Sequence, residues 1–279
     1  MAILLSLLTA FLFGTGDFFG GMAGKRIRIA QVLLCAHIIG GIGIFVVSLV
    51  IADQFRVEDL AWGAIAGASG ILGLALLYRG LARGPMGVVG ALTAITSAAV
   101  PAAWGTLVGG DRLAILAWIG VGIALVAIGL VSWSPNESHI GVTSQTIVES
   151  LIAGAGFGFM FILLDYSDPA SAPWPIVGAR VLTAPLLLVS FLIKRTQVWP
   201  RDPVALGLVV GVGVTDTISN ALFLYATQHG SLTVVAVLSS LYPVATVVLA
   251  RTVLHERLTR LQLAGFVLAM GATTLIAAG

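Results

Sequence analysis

Four ionisable residues lie within long apolar stretches of this sequence, where their side chains could do chemistry. Asp17 lies in FGTGDFFGG and Asp216 in GVTDTISNALF, while His37 and Arg180 each interrupt a further apolar stretch. An ionisable group inside a membrane span costs roughly 2.5–3.5 kcal/mol on insertion scales, so each is a candidate functional residue by default. A carboxylate or an imidazole can carry a proton, and a guanidinium can bind a carboxylate. These residue types predict solute binding and ion coupling.

The segment that follows Asp216 strengthens this prediction. Ser219 and Asn220 come three and four residues later, so all three lie on one face of a helix. We predict that a polar cavity is lined by this face. An ion pair between Asp216 and Arg180 is an equally good explanation of both charges, and the two explanations are compatible. The predicted substrate-binding set is Asp17, Trp104, Arg180, Asp216, Ser219 and Asn220.

Three of the ionisable residues are also candidates for ion coupling, namely Asp17, His37 and Asp216. For His37, a hydrogen bond between helices is the more common role. Trp104 is the tryptophan best placed to stack on a solute, although interfacial anchoring explains most tryptophans near span ends.

Catalytic and cofactor motifs are missing from the sequence. His255-Glu256 opens HERLT and lacks the second histidine of HExxH, no Walker sequence is present, and Cys35 is the only cysteine. We therefore predict no catalytic residue, no metal site and no cofactor. Without an ATP motif, only intrinsic ATP hydrolysis is excluded.

The elements that must position these residues are membrane helices. Of the 279 residues, 58% are hydrophobic and only 9% charged, whereas a soluble domain has about 25% charged residues. The net charge of +2 does not suggest nucleic-acid binding, and the expected surroundings are a lipid bilayer. Since a span needs roughly 20 apolar residues, we predict ten: 3–23, 31–51, 60–78, 86–107, 114–133, 147–165, 174–193, 203–226, 231–250 and 260–278.

Two related halves are predicted on either side of a polar linker. The linker covers 134–146 and separates a five-helix repeat in 1–133 from a second in 147–279. Aligning Asp111 in LVGGDRL with Glu256 in VLHERL also aligns Gly120 with Gly265. Because five is an odd number, the second repeat enters the membrane from the opposite side. The predicted fold is therefore all-α and polytopic, with two inverted five-helix repeats around a central cavity.

Glycine and proline positions predict how the helices meet. Glycines four residues apart, such as Gly63 with Gly67 and Gly154 with Gly158, allow helices to approach closely. Pro243 removes one backbone hydrogen bond early in the ninth span, so we predict a kink and assign it as a hinge.

The segment from Leu238 to Ala278 resembles the end of the EamA family of the drug/metabolite transporter superfamily. Tyr242-Pro243-Val244 and Glu256-Arg257-Leu258-Thr259 carry the match, with His255 in place of the usual glycine. In the first half, Asp111 stands for glutamate, and Pro101 lies one helical turn beyond the expected position. The resemblance implies two five-helix repeats around a cavity, and commonly the export of amino acids or other metabolites.

We therefore expect a secondary transporter in the plasma (inner) membrane that exports small metabolites, such as amino acids or amphipathic compounds, with proton coupling as an option. Uptake or exchange is the alternative within transport. A membrane-embedded enzyme and a non-transporting scaffold are alternatives from other classes. The expected partner is a small-molecule substrate, and a homodimer is left open. Eleven basic residues lie in the loops after the odd-numbered spans and two in the others, which predicts that both termini are outside.

Overall fold

The computed structural model describes residues 1–83, 86–131, 143–193, 195, 197–253 and 259–278. Over these residues the chain is helical, with short connections and one 3₁₀ turn at Pro169–Ser171. The helices are α1 (Ala2–Gly24), α2 (Ile29–Ile51), α3 (Val57–Arg83), α4 (Met86–Leu107), α5 (Ile115–Val131), α6 (Ser144–Asp165), α7 (Trp174–Ile193), α8 (Pro203–Thr227), α9 (Leu232–Ser239), α10 (Tyr242–Val253) and α11 (Arg260–Ala278).

Seven stretches are long and apolar enough to cross a membrane, judged by length and composition over the described residues. They coincide with seven of the ten predicted spans, with α9 and α10 together forming the last of them. Ile115–Val131 and Arg260–Ile276 are shorter apolar helices. The chain is thus an integral, multi-pass membrane protein.

Polar side chains set where several helices begin. The Thr143 hydroxyl accepts a hydrogen bond from the Thr146 backbone N–H at 3.1 Å, so α6 starts at Ser144, inside the stretch predicted as linker. Asp202 caps α8 in the same way, through the Val204 N–H at 3.0 Å. Such caps satisfy N–H groups that have no partner within the helix.

The ninth predicted span is two helices and not one. The helix that begins at Leu232 ends at Ser239, and a new one begins at Tyr242. Pro243 is the second residue of the new helix, where a missing N–H costs least. The predicted kink is therefore a short interruption at Ser240 and Leu241, where the Leu241 N–H bonds the Leu238 carbonyl at 3.2 Å in a tighter turn.

Helix pairs between the two halves come in matched sets. The contact of α1 with α8 matches that of α6 with α3. The contact of α4 with α6 matches that of α9 and α10 with α1. The contact of α3 with α7 matches that of α8 with α2. The last helices of the halves, α5 and α11, pack on each other. Exchanging the halves thus reproduces the main helix pairs.

Glycines form two of these contacts, as predicted. A Cβ atom on Gly67 of α3 would lie 2.7 Å from the Ala179 Cα of α7. A Cβ atom on Gly158 of α6 would lie 2.7 Å from the Val100 Cβ of α4. Both distances are below van der Waals contact, so these helices pack backbone against side chain with no room for a larger residue.

Ion pairs show which connections share an end of the molecule. Arg26 of the α1–α2 connection bonds Asp202 of the α7–α8 connection, with Nη1 and Oδ2 3.0 Å apart. At the other end, Arg56 of the α2–α3 connection pairs with Asp168 of the α6–α7 connection. We call these the Arg26 end and the Arg56 end.

Two sequence features lie outside the described residues. They are His255-Glu256-Arg257-Leu258, which carries part of the family resemblance, and the first nine residues of the predicted linker, 134–142. The assignment of 1–133 and 147–279 as repeats stays a prediction.

Candidate functional site

A cavity lies between helices of both halves, at the depth of the spans. Its volume is about 80 Å³, and since one water needs roughly 10–15 Å³ by this measure, it admits several waters or a small solute. Its polar lining comes from α1, α2, α4, α7, α8 and α10, and consists of Asp17, His37, Ser97, Arg180, Asp216, Asn220 and Tyr242.

At the centre of this lining, the predicted ion pair is present. The Arg180 Nη2 of α7 donates to the Asp216 Oδ2 of α8. The Arg180 side chain is 9% exposed and that of Asp216 is 30% exposed, so the carboxylate is the more open of the two to the cavity. Gly41 of α2 makes room for this arginine, because a Cβ atom there would lie 3.1 Å from the Arg180 Cβ.

His37 completes a chain of hydrogen bonds that fixes its protonation. An arginine only donates, so the contact of 3.2 Å between Arg180 Nη1 and His37 Nε2 makes that nitrogen the acceptor. His37 Nδ1 then donates to the Thr183 Oγ1 at 2.7 Å, and that hydroxyl donates to the Ala179 carbonyl at 2.7 Å. His37 is therefore neutral in this arrangement. It forms hydrogen bonds between helices, which is a more common role for such a histidine than ion coupling.

The predicted stripe after Asp216 separates into two parts. The Asn220 Nδ2 donates to the Asp216 carbonyl at 2.8 Å and to its Oδ1 at 3.3 Å, and Asn220 lines the cavity. Ser219 is fully buried, donates to the same carbonyl at 2.8 Å and does not line the cavity. Asn220 thus donates a hydrogen bond to the Asp216 carboxylate, while the described hydrogen bond of Ser219 is to a backbone carbonyl of its own helix.

Asp17 lines the cavity from α1 and is isolated from that network. Within the described part of the chain, no hydrogen bond or ion pair reaches its carboxylate, although it interacts electrostatically with Asp216. Close contacts hold α1 here: a Cβ atom on Gly14 would lie 2.7 Å from the Ala245 Cβ of α10, and one on Gly16 would lie 3.0 Å from the Thr215 Oγ1 of α8. The flanking glycines of Asp17 therefore position its helix.

Two further polar groups of the lining have no partner in the described structure. They are the Arg180 Nε and the Tyr242 hydroxyl, both shielded from solvent. A buried donor without a partner costs about 1–3 kcal/mol, so neither group is satisfied in this arrangement. Tyr242 was not among the predicted site residues, although the sequence placed it beside Pro243 in the segment that carries the family resemblance.

The rest of the cavity wall is apolar and partly aromatic. Phe13 of α1 packs on Phe161 of α6, with ring centroids 6.1 Å apart, and Phe161 stacks on Phe223 of α8 at 4.1 Å. Phe157 and Met160 of α6 also line the cavity. These residues are indistinguishable from ordinary core residues in sequence, because apolar side chains fill every span.

Trp104 lies elsewhere. Its ring makes an edge contact with Tyr166, with centroids 6.5 Å apart, and Tyr166 stacks on Trp62 at 5.4 Å. This aromatic group lies near the ends of α4 and α6, outside the residues that line the cavity. The structure therefore brings together Asp17, His37, Arg180, Asp216 and Asn220 from the predicted set, and leaves Trp104 and Ser219 apart.

A bundle of membrane helices from two halves, with charged groups gathered at one cavity between them, defines a polytopic membrane protein. Residues 145–278 match the family of EamA-like transporters, so the second half of the chain belongs to that family and the resemblance is confirmed. The protein is accordingly a membrane transporter of the drug/metabolite type.

One solved structure, described only as the crystal structure of a protein, has the same fold. It superposes with a TM-score of 0.80 at 16% identity, covering 99% of this chain and 96% of that chain. At this identity the likeness is one of fold. No curated protein matches the sequence significantly.

Proposed function

We propose that this protein is a secondary transporter that exports small metabolites, such as amino acids or amphipathic compounds, across the plasma membrane in exchange for protons. One observation carries the proposal: Asp17 of the first half meets Arg180 and Asp216 of the second half at a single cavity within the spans. Charged groups at this depth are costly and are typical of substrate and ion pathways.

The proposal includes two inverted five-helix repeats. The matched helix pairs support it, since exchanging the halves reproduces α1 on α8 as α6 on α3. In transporters built this way, the substrate site lies near the bilayer midplane between the repeats, and the repeats exchange conformations to open it on alternate sides. The break at Ser240 and Leu241, next to Pro243, is the proposed hinge.

Coupling to protons is assigned to the two carboxylates of the cavity. Asp17 has no counter-charge of its own among the described residues, so a proton and a solute are alternative partners for it. Asp216 is already paired with Arg180, and proton binding there would release that arginine. His37 is committed to Arg180 and Thr183 in this arrangement.

Purified protein in liposomes tests the proposed function. A metabolite library read by thermal shift supplies the solute, and a trapped unlabelled pool should then accelerate uptake of the labelled compound, which is recovered chemically unchanged. A pH gradient should accelerate this flux in wild type and not in Asp17→Asn. Formation of a new product would instead indicate an enzyme, and the absence of both flux and product would indicate a scaffold.

Orientation is a separate part of the proposal. At the ends of the odd-numbered predicted spans and in the loops after them, the sequence carries Lys25, Arg26, Arg28, Arg79, Arg83, Lys194, Arg195, Arg201, Arg251, Arg257 and Arg260, whereas the other loops carry Arg56 and Arg112. Short basic loops stay in the cytoplasm, which favours termini on the outside. Relatives in this family are often drawn with cytoplasmic termini, so a C-terminal fusion decides: active alkaline phosphatase and a dark fluorescent protein would support outside termini.

A further inference from the structure

The charges that line the cavity do not balance. Three lining side chains carry formal charges when ionised: Asp17, Arg180 and Asp216. Arg180 and Asp216 neutralise each other in their ion pair. His37 accepts a hydrogen bond from Arg180 and is neutral. The described lining is therefore left with one carboxylate, that of Asp17, and with no cation to match it.

The hydrogen-bonding groups still free in the cavity favour the same kind of ligand. Each terminal nitrogen of Arg180 already donates one hydrogen bond, Nη2 to Asp216 and Nη1 to His37, and Nε is shielded from solvent. A carboxylate on a solute would therefore have to share this guanidinium with Asp216, whereas an unpaired guanidinium binds carboxylates best. The Asp17 carboxylate is free in the described structure and could accept several N–H donors from an ammonium group.

The apolar wall also suits a positive charge. Phe13 lies one helical turn before Asp17 on α1 and lines the same cavity. Phe157 and Phe161 contribute two further rings from α6. The face of an aromatic ring attracts a cation within about 6 Å of its centroid, and its body packs against apolar groups.

From this arrangement we infer that the cavity selects solutes with a single positive charge on a small apolar body, with Asp17 as the counter-ion. The inference rests on the proposed transport function and narrows its substrate class. A bound cation and a bound proton neutralise the same carboxylate, so the two exclude each other at Asp17. Anions find no unpaired positive side chain among the described lining residues, and the carboxylate of a zwitterion would have to compete with Asp216 for Arg180.

Three compounds that share a phenylethyl body and differ in charge test this inference. Binding of 2-phenylethylammonium, 2-phenylethanol and 3-phenylpropionate to wild-type protein in lipid nanodiscs is measured by calorimetry at pH 8. The ammonium should bind at least about tenfold more tightly than either of the others, the ratio expected for one charge-assisted hydrogen bond.

Asp17→Asn should abolish this preference, and Asp17→Glu should retain it. Asp165→Asn is the matched control, because Asp165 lies at the end of α6 outside the cavity lining, and it should keep the wild-type ranking. If Asp17→Asn does not fold, the wild-type ranking decides the matter, since it needs no variant.

Several results would overturn the inference. They are equal or tighter binding of the carboxylate or the alcohol, failure of the ammonium to bind wild type, and an ammonium preference that survives in folded Asp17→Asn. If one of these results is obtained but a neutral or anionic solute is transported into liposomes, the charge selectivity is refuted and the transport function is retained. Absence of flux for every solute that binds would refute the transport function itself.

Discussion

Two arginine–aspartate pairs of this protein have the same chemistry in different surroundings. Arg180 and Asp216 meet at the cavity, with side chains 9% and 30% exposed. Arg26 and Asp202 meet between two connections at one end of the bundle, with side chains 47% and 35% exposed. The interior pair is embedded in further bonds to His37 and Asn220, whereas the end pair is joined, among the described residues, by the cap that Asp202 provides to α8.

The location of an ion pair in this protein, more than the identity of its partners, decides its contribution to stability and function. In a low-dielectric interior, removing one partner leaves an uncompensated charge that is expensive to keep. At an exposed end, water and salt screen both partners. The interior pair should therefore control both folding and transport, and the end pair neither to any large degree.

The largest expected effect is that of Arg180→Gln. It leaves the Asp216 carboxylate without its cation and His37 without its donor, and places two uncompensated carboxylates in one cavity. We expect a loss of about 3–5 kcal/mol in the free energy of unfolding, as for other broken buried pairs. Thermal unfolding in detergent measures it, with exposed Arg112→Gln as control. A melting temperature like that of wild type would refute the role given to this pair.

Asp216→Asn should have a different effect, separating transport from folding. The asparagine Oδ1 can still accept from Arg180, and Asp17 in the same cavity still balances its charge. We expect flux to fall at least about tenfold, in keeping with the loss of one charge-assisted contact, while folded yield stays near that of wild type. Proteoliposome flux and size-exclusion yield are compared directly. Unchanged flux, or loss of the folded protein, would count against the assignment.

An intermediate effect is expected at the Arg56 end. Arg56 pairs with Asp168 and lies 3.8 Å from the Asp59 carboxylate, which is 4% exposed and also accepts the Asp168 backbone N–H at 3.1 Å. Arg56→Gln should lower the free energy of unfolding by about 1–2 kcal/mol, because it leaves a buried carboxylate without its cation while Arg56 itself is partly exposed. Arg112→Gln, at the same end, should have no effect. Equal melting temperatures for the two variants would contradict this ranking.

The smallest effect belongs to the Arg26 end, where pH gives the test. The Val204 backbone N–H and then Arg26 lower the pKa of Asp202 below its ordinary value of 3.8. When the pKa of a carboxyl group is lower in the folded state, the group stabilises the protein at pH values above its unfolded-state pKa. This stabilisation is lost as the pH falls through the folded-state pKa. Asp202→Ala should lower the melting temperature by at most a few degrees at pH 5–8, with the gap closing below about pH 4.

Asp202→Asn divides that small effect between its two sources. Asparagine caps a helix as well as aspartate does but carries no charge. We expect this variant to be nearly as stable as wild type if the cap dominates over the ion pair with Arg26. A variant as unstable as Asp202→Ala would show instead that the exposed pair contributes most, contrary to the comparison drawn above.

Helix positions were largely predictable from the sequence, because a bilayer requires long apolar segments and polar residues are confined to their ends. The capping residues Thr143 and Asp202 mark two of these ends in the sequence itself. The break before Pro243 was predictable in place but not in extent, since the loss of one hydrogen bond allows either a bent helix or two separate ones. Tyr242 was not predicted as a cavity residue, because its hydroxyl could have faced any neighbour.

Four properties of this protein can be read from its sequence alone: the lipid surroundings, the helical class, the family resemblance and the small set of ionisable residues inside the spans. These follow from composition and local pattern, since each apolar stretch responds to lipid independently of its neighbours. Only the tertiary structure decided which of those residues meet. Arg180 pairs with Asp216, His37 bonds Thr183, and Asp17 is left without a partner among the described residues because close helix contacts set the rotation of each helix. That rotation depends on side chains from distant parts of the chain, which no local pattern contains.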